Sequence, residues 1–140
     1  MRSKAPLVLM EQMVMVLVFA LAAALCIQVF VLSDRTSREN EVRAQALTMA
    51  QNTAETLKYY DGDYEAAAQA LGGEWNGSEL EIFCAEDWTV SQTDAAATYR
   101  VQVTPRESGH ALLGNAEVAV CAADGAALCA VPVAWQEVVG

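Results

Sequence analysis

The chain opens with a long apolar stretch and then changes to a mixed pattern of apolar and polar positions. From Met13 to Leu32 the only strongly polar side chain is Gln28. A helix rises about 1.5 Å per residue, so about 20 residues reach roughly 30 Å, the thickness of a bilayer core. The pattern therefore predicts a membrane-spanning helix over residues 7–32.

One carboxylate, Glu11, lies near the start of this apolar stretch. A charge inside a membrane helix is costly and usually faces a protein partner. Either Glu11 reaches the membrane interface at the end of the helix, or it neutralises a cation that another subunit supplies.

Flanking charges predict how the helix is oriented. Arg2 and Lys4 precede it, whereas Asp34 and Arg35 balance each other after it. The excess of positive charge before the helix indicates a cytoplasmic N-terminus. We therefore expect residues 1–6 to be a cytoplasmic leader and the chain after Leu32 to be extracytoplasmic, in a single-pass protein of the cytoplasmic membrane.

A cleaved secretory signal is the nearest alternative, with small-residue sites within residues 20–24. Glu11 and Gln12 interrupt the uncharged core that such a signal needs, and the apolar run continues to Leu32. A lipoprotein signal ending at Cys26 has Leu25 where a small residue is expected. A retained helix is the interpretation that fits best.

Helical periodicity continues beyond the apolar stretch, since neither Gly nor Pro occurs between Leu32 and Gly62. Apolar or small side chains recur at spacings of three and four, and the opposite side is polar. The apolar stripe consists of Val42, Ala46, Met49, Thr53, Leu57 and Tyr60, and the polar side carries Arg38, Glu41, Gln45, Gln51, Asn52 and Glu55. We expect residues 33–60 to lay one side on a globular head; a coiled coil is the alternative, although the repeat is short for one.

Turn residues then divide the rest of the chain. Asp61-Gly62-Asp63 ends the long helix, and Asp63 is a suitable cap for a short helix over residues 64–71 that Gly72-Gly73 closes. A cation site at the two aspartates lacks the other oxygen ligands that calcium requires, so capping is favoured.

From Glu79 onward the apolar positions alternate with a period of two, which predicts strands. The four predicted strands lie near residues 79–84, 99–103, 117–120 and 128–135. The Asp124-Gly125 turn joins the last two, and Pro132 favours an edge position for the final strand. The fold class predicted is α+β: a long N-terminal helix on a small antiparallel sheet of about four strands, within a head of residues 61–140.

The run Leu7-Val8-Leu9-Met10-Glu11-Gln12-Met13, followed by a long apolar helix, resembles the N-terminal segment of type IV pilins and type II secretion pseudopilins. The resemblance implies prepilin peptidase cleavage between Pro6 and Leu7 and methylation of the new N-terminus. It also implies that Glu11, as the fifth mature residue, pairs with a neighbour's amine during assembly. The family usually has Gly or Ala before the cut and commonly Phe after it, where this chain has Pro6 and Leu7.

The function implied is that of a structural subunit, such as a minor pseudopilin, in a type IV pilus or a type II secretion-like filament. Its partners would be other pilin or pseudopilin subunits, the prepilin peptidase, an inner-membrane assembly platform and, before assembly, the lipid bilayer. The alternative is a single-pass membrane protein that does not polymerise and whose head binds a ligand or partner.

Three of the four cysteines, Cys84, Cys121 and Cys129, fall in the predicted head. An oxidising exterior permits a disulfide among them. Cys121 and Cys129 flank the Asp124-Gly125 turn, and Cys84 could pair with either. The odd number leaves at least one thiol free, and all three reduced is the alternative. We interpret Cys26 as a small apolar residue of the membrane helix.

Charge and composition give little support for other functions. Beyond Leu32 there are six Lys and Arg against seventeen Asp and Glu, a net charge of −11. Such a head repels phosphate, so we expect no nucleic-acid partner. The only histidine, His110, lies in a Ser- and Gly-containing connection without a neighbouring Cys or carboxylate at ligand spacing. We therefore expect no enzyme activity, no metal and no cofactor.

Overall fold

The computed structural model describes residues 4–137, so Arg2 of the predicted leader and the last three residues of the head lie outside the described residues. Helix α1 spans Ala5–Tyr59. Backbone contacts divide the chain into two units, one up to Asn40 and one from Glu41 onward. Each unit is described by itself below.

The first unit is helical from Ala5 to its last residue. Pro6 lies in the first turn, where a missing N–H costs nothing because the first amides of a helix have no intrahelical acceptor. The Val8 N–H donates to the Lys4 carbonyl at 3.2 Å. All the described side chains of this unit are exposed. The predicted helix over residues 7–32 is confirmed as a helix.

The second unit contains the remainder of α1, a short helix and an antiparallel sheet. Helix α2 spans Tyr64–Leu71, and a single 3-10 turn spans Asp94–Ala96. The strands are β1 (Glu74–Trp75), β2 (Leu80–Cys84), β3 (Val90–Ser91), β4 (Tyr99–Arg106), β5 (Leu113–Ala122) and β6 (Ala127–Gln136). Their order across the sheet is β1-β2-β4-β5-β6, and β3 pairs with β2.

The predicted α+β class is therefore confirmed, with six strands instead of about four. The four predicted strands correspond to β2, β4, β5 and β6, which are neighbours in the sheet in the order in which they occur. The two strands not predicted, β1 and β3, are two residues each and pair with β2. A two-residue strand is too short to produce an alternating pattern, so periodicity does not reveal it.

The predicted turns and caps are confirmed. Asp63 Oδ1 accepts from the backbone N–H groups of Glu65 and Ala66, both at 3.1 Å, and caps α2. Gly72 ends α2 in the left-handed conformation, with φ of 72°. The β5–β6 hairpin turns at Asp124-Gly125, where Gly125 has φ of 87°.

Pro132 lies on β6, which among the described strands pairs with β5 alone, so the predicted edge position is confirmed. Pro105 lies on β4, a central strand, but beyond Val103, the last residue of β4 that pairs with β2. Both prolines therefore lie where one side of the strand has no partner strand within the described residues. A missing amide donor is tolerated at such positions.

The core forms between the α1 residues of the second unit and one face of the sheet. The buried helix residues are Ala46, Ala50, Thr53, Ala54 and Leu57. Three residues of the predicted stripe are therefore buried, its other members Val42, Met49 and Tyr60 are half-buried, and Ala50 and Ala54 were not predicted. Four of the five buried side chains are small, and the Thr53 hydroxyl is satisfied by donating to the Met49 carbonyl at 2.8 Å. The sheet supplies Leu80, Ile82, Cys84, Val101, Val103, Ala116, Val118, Val120, Val133 and Trp135.

Trp135, which is 8% exposed, packs its indole against two glycines. Gly62 lies in the turn after α1, and Gly114 lies on β5 opposite Trp135. A Cβ atom on either glycine would overlap the indole ring. The two glycines therefore leave room for the Trp135 indole, which packs between the α1–α2 turn and the end of the sheet.

Replacing Gly114 with Ala should destabilise the protein, by about 1–3 kcal/mol, because the new methyl group displaces the Trp135 indole. Gly109→Ala is the matched control, since a Cβ there meets no atom within 4 Å. Urea unfolding monitored by tryptophan fluorescence reports on the second unit and measures the unfolding midpoint of each variant. Equal midpoints for the two variants would contradict the close packing at Gly114.

Candidate functional site

Most of the exposed large apolar side chains of the described chain lie on α1 in the first unit. The helix is long and apolar enough to cross a membrane, and its most apolar segment contains no buried residue. Eighteen large apolar side chains between Leu7 and Leu32 are exposed, and Phe19 and Phe30 reach 76%. We define residues 7–32 as the anchor segment, the first part of the candidate site.

Glu11 is exposed and lies one helical turn after Leu7. Residues four apart share one side of a helix, so Glu11 and the backbone start of residue 7 are neighbours along that side. Within residues 4–137 the ion pairs involve other carboxylates, and none involves Glu11. The one charge of the anchor segment thus has no cationic partner among the described residues.

The predicted cleavage bond, between Pro6 and Leu7, lies in the first turn of α1. Amides of the first turn have no intrahelical acceptor, so a helix opens most easily at such an end. Pro6 fixes its own φ angle and restricts the backbone conformation of the residue before it. A protease that cuts after Pro6 must accept this restricted backbone. Cleavage at this bond stays a prediction.

The head is acidic, and its few cations are largely paired with its own carboxylates. Arg100 Nη2 lies 2.9 Å from Asp94 Oδ1, and Arg106 Nη2 lies 2.9 Å from Glu117 Oε2. These pairs are partly exposed and stabilise the fold little. Their effect is that little positive charge remains for binding an anionic partner.

The cysteines are free thiols within the described residues. Cys84 on β2 and Cys129 on β6 have β4 and β5 between them, a separation of about 14 Å at the usual strand spacing. A disulfide needs Cα atoms within about 7 Å. A bond between Cys84 and Cys129 would therefore require the sheet to rearrange.

Cys121 and Cys129 lie on adjacent strands. Cys129 pairs with the buried Val120, whereas Cys121 pairs with Ala127 across a β-bulge. Cys129 packs against the core, and alternation places Cys121 on the other face of the sheet. A disulfide between Cys121 and Cys129 stays a prediction, and forming one would require the bulge to change.

The head also contains a cluster of three aromatic side chains that the sequence periodicity did not reveal. The Tyr64 ring stacks on Trp75 with centroids 4.6 Å apart, and it meets Trp135 edge-on at 6.2 Å. Burial, with a smaller contribution from the Glu137 carboxylate, raises the pKa of Tyr64. The three rings come from α2, β1 and β6, so only the folded chain brings them together.

His110 is exposed in the loop between β4 and β5. Its carbonyl accepts a hydrogen bond from the Ser108 hydroxyl. Among residues 4–137 no group of three His, Cys, Asp or Glu side chains is placed to hold a metal ion. The described residues therefore supply no metal centre to which His110 could belong.

No protein-family model, curated protein or solved structure matches this chain. What the structure itself defines is an α+β protein whose N-terminal helix is long and apolar enough to span a membrane. A long apolar N-terminal helix and a small antiparallel sheet are both elements that a pilin-like protein has.

Thiol reactivity should follow burial. Cys84 is 0% exposed, and burial raises its pKa, so both access and thiolate fraction are low. Burial raises the pKa of the half-buried Cys129 most, a hydrogen bond with the Val120 backbone lowers it, and the neighbouring Cys121 raises it by less. We expect iodoacetamide to label Cys84 most slowly of the three head cysteines. Peptide mass spectrometry of the folded protein measures the rates, the same reaction in urea is the control, and preferential labelling of Cys84 would contradict its buried position.

Proposed function

We propose that this protein is a pilin-like structural subunit, of the minor pseudopilin kind, in a type IV pilus or type II secretion-like filament. The observation that carries the proposal is the composition of α1. Residues 7–32 are an exposed apolar surface with one carboxylate, whereas the helix residues from Ala46 to Leu57 bury a stripe in the head.

The anchor segment requires a cover that is not water. Burying one large apolar side chain is worth about 1.5–3 kcal/mol, so the eighteen exposed ones together favour burial by several tens of kcal/mol. A carboxylate in the membrane costs roughly 3 kcal/mol. Glu11 therefore does not prevent insertion, and the segment suits lipid before assembly and neighbouring helices afterwards.

Glu11 gives the assembled state a requirement for a partner. Two unit charges 4 Å apart attract by about 4 kcal/mol at an effective dielectric constant of 20, which is comparable with the cost of burying the carboxylate. Cleavage before Leu7 would create an amine of the necessary charge, whereas the uncut chain has an uncharged amide there. In this mechanism processing and assembly are coupled, and Glu11 sets the axial position of one subunit against the next.

The head would contribute surface and not chemistry in this role. Its excess negative charge and paired arginines favour contact with basic proteins over nucleic acid or anionic lipid. A position outside the cytoplasm, with the N-terminus inside, completes the proposal, with the prepilin peptidase and an inner-membrane platform as the other partners.

A single-pass protein that does not polymerise is the second candidate. The observation favouring it is Pro6, which occupies the position before the proposed cut. Such a protein would keep its leader, use residues 7–32 only as an anchor and present the head to a ligand or partner. Replacing Glu11 would then have little consequence.

The decisive experiment is the intact mass and N-terminal sequence of the protein extracted from the membranes of its native host. We expect a mature chain that begins at Leu7 and carries a methylated amine. The Glu11→Ala protein should still be cut and inserted into the membrane. Chemical crosslinking between its subunits should be lost, because the new amine of one subunit has no carboxylate on the next to pair with. Gln12→Ala is the matched control, since it changes the adjacent polar residue without removing a charge.

The other outcomes separate the alternatives. An uncut chain, with Glu11→Ala behaving as wild type, would favour the single-pass anchor. A chain beginning beyond Ala22 would contradict both and indicate a secreted domain. Pro6→Gly adds a further test, because it should accelerate cleavage if the peptidase acts at this bond and should change nothing if it does not.

A further inference from the structure

The loop between β1 and β2 contains Asn76-Gly77, and three features of it bear on the chemistry of the asparagine side chain. The residues Asn76, Gly77 and Ser78 are all exposed. Asn76 Oδ1 accepts three hydrogen bonds: from Ser78 N at 2.9 Å, from Ser78 Oγ at 2.9 Å and from Glu79 N at 2.8 Å. Only an oxygen accepts from three such donors, so the orientation of the carboxamide is defined.

The nitrogen that would attack this side chain is unobstructed. Gly77 has φ of 94°, and a Cβ built on it meets no atom within 4 Å. In the described part of the chain its N–H donates no hydrogen bond. The backbone amide after Asn76 is therefore open to solvent and free to lose its proton.

We propose that Asn76 is a site of spontaneous covalent modification, deamidating through a cyclic imide to aspartate and isoaspartate. Solvent base removes the Gly77 N–H proton, and the nitrogen attacks Asn76 Cγ to close a five-membered ring. The Cγ–Nδ2 bond breaks, and Nδ2 leaves as ammonia. Water then opens the imide at either carbonyl, so the net change is amide and water to carboxylate and ammonium, without an oxidant or enzyme.

The hydrogen bonds to Asn76 Oδ1 give the fold a part in this reaction. When nitrogen attacks Cγ, negative charge develops on Oδ1. Donors already aimed at an atom where charge develops stabilise the transition state, as in an oxyanion hole. The backbone of Ser78, the backbone of Glu79 and the Ser78 hydroxyl are placed for this, and they exist together only in the folded turn.

The two products have different structural consequences. Aspartate keeps an oxygen acceptor for the same three donors and adds one negative charge to the loop. Isoaspartate lengthens the backbone by one methylene group, which disturbs the hydrogen bond from Asn76 N to Glu79 O at 3.2 Å. The adjacent Trp75 pairs with Leu80 and stacks on Tyr64. Isoaspartate should therefore weaken the pairing of β1 with β2 and the stacking of Trp75 on Tyr64.

The test is to incubate the full-length protein in detergent micelles, in mildly alkaline buffer at physiological temperature, and to map deamidated peptides by mass spectrometry. We expect Asn76 to convert faster in the folded protein than in the same protein unfolded in urea. Asn52, within α1, and Asn115, within β5, are internal controls that should stay unmodified in the folded protein.

A matched pair of variants isolates the hydroxyl donor. Ser78→Ala should slow the reaction at Asn76 several-fold, while the two backbone donors keep the turn; an unchanged urea midpoint confirms that the turn is intact. Ser108→Ala removes a loop hydroxyl elsewhere and should leave the rate unchanged. Slower conversion in the folded protein than in urea, or equal rates for Ser78→Ala and wild type, would overturn the proposal.

Discussion

Apolar helix surface must be covered, and the rest of this structure depends on how α1 meets that requirement. From Ala46 to Leu57 the helix has one buried side, made of four small side chains and Leu57, which forms a core with the sheet. From Leu7 to Leu32 apolar side chains occupy all sides of the helix, interrupted only by Glu11, Gln12 and Gln28. A one-sided stripe can be covered by one layer, whereas a helix that is apolar all round needs lipid or several helices around it.

Small residues contribute to the packing of the head in two places, on α1 and beside the Trp135 indole. Alanines on α1 and the branched side chains of β2, β4 and β5 belong to one buried core. At one end of the sheet Gly62 and Gly114 make room for the Trp135 indole. Its Nε1 is buried without a hydrogen-bond partner within the described residues, a cost that the apolar contacts of the ring offset.

Much of the fold could be predicted because its elements are long enough to repeat. The stripe from Val42 to Tyr60 contains several turns, and β2, β4 and β5 contain several alternations, so both periods are visible. The limits of β5 were less predictable, because it begins at Leu113 and passes through small residues before Val118. Strands β1 and β3 have no period to read.

The candidate site was predicted less completely, for a different physical reason. Pro6, Leu7 and Glu11 are recognisable in the sequence, but the role of a charge in an apolar segment is decided by its partner. The cysteine pairing depends on strand order and on the bulge at Cys121, which no spacing reveals. The Asn76 turn likewise depends on three donors that the folded loop aligns.

The charge of the head imposes a condition on any assembly of this protein. Like-charged heads repel, but at physiological ionic strength the interaction is screened beyond about 8 Å. Burial of the anchor segment is non-directional and is not screened in this way. Association would therefore be driven by the helices and opposed only weakly by the heads. A directional contact is still needed to set the position of one helix against another, and in the anchor segment Glu11 is the only charged side chain that could provide it.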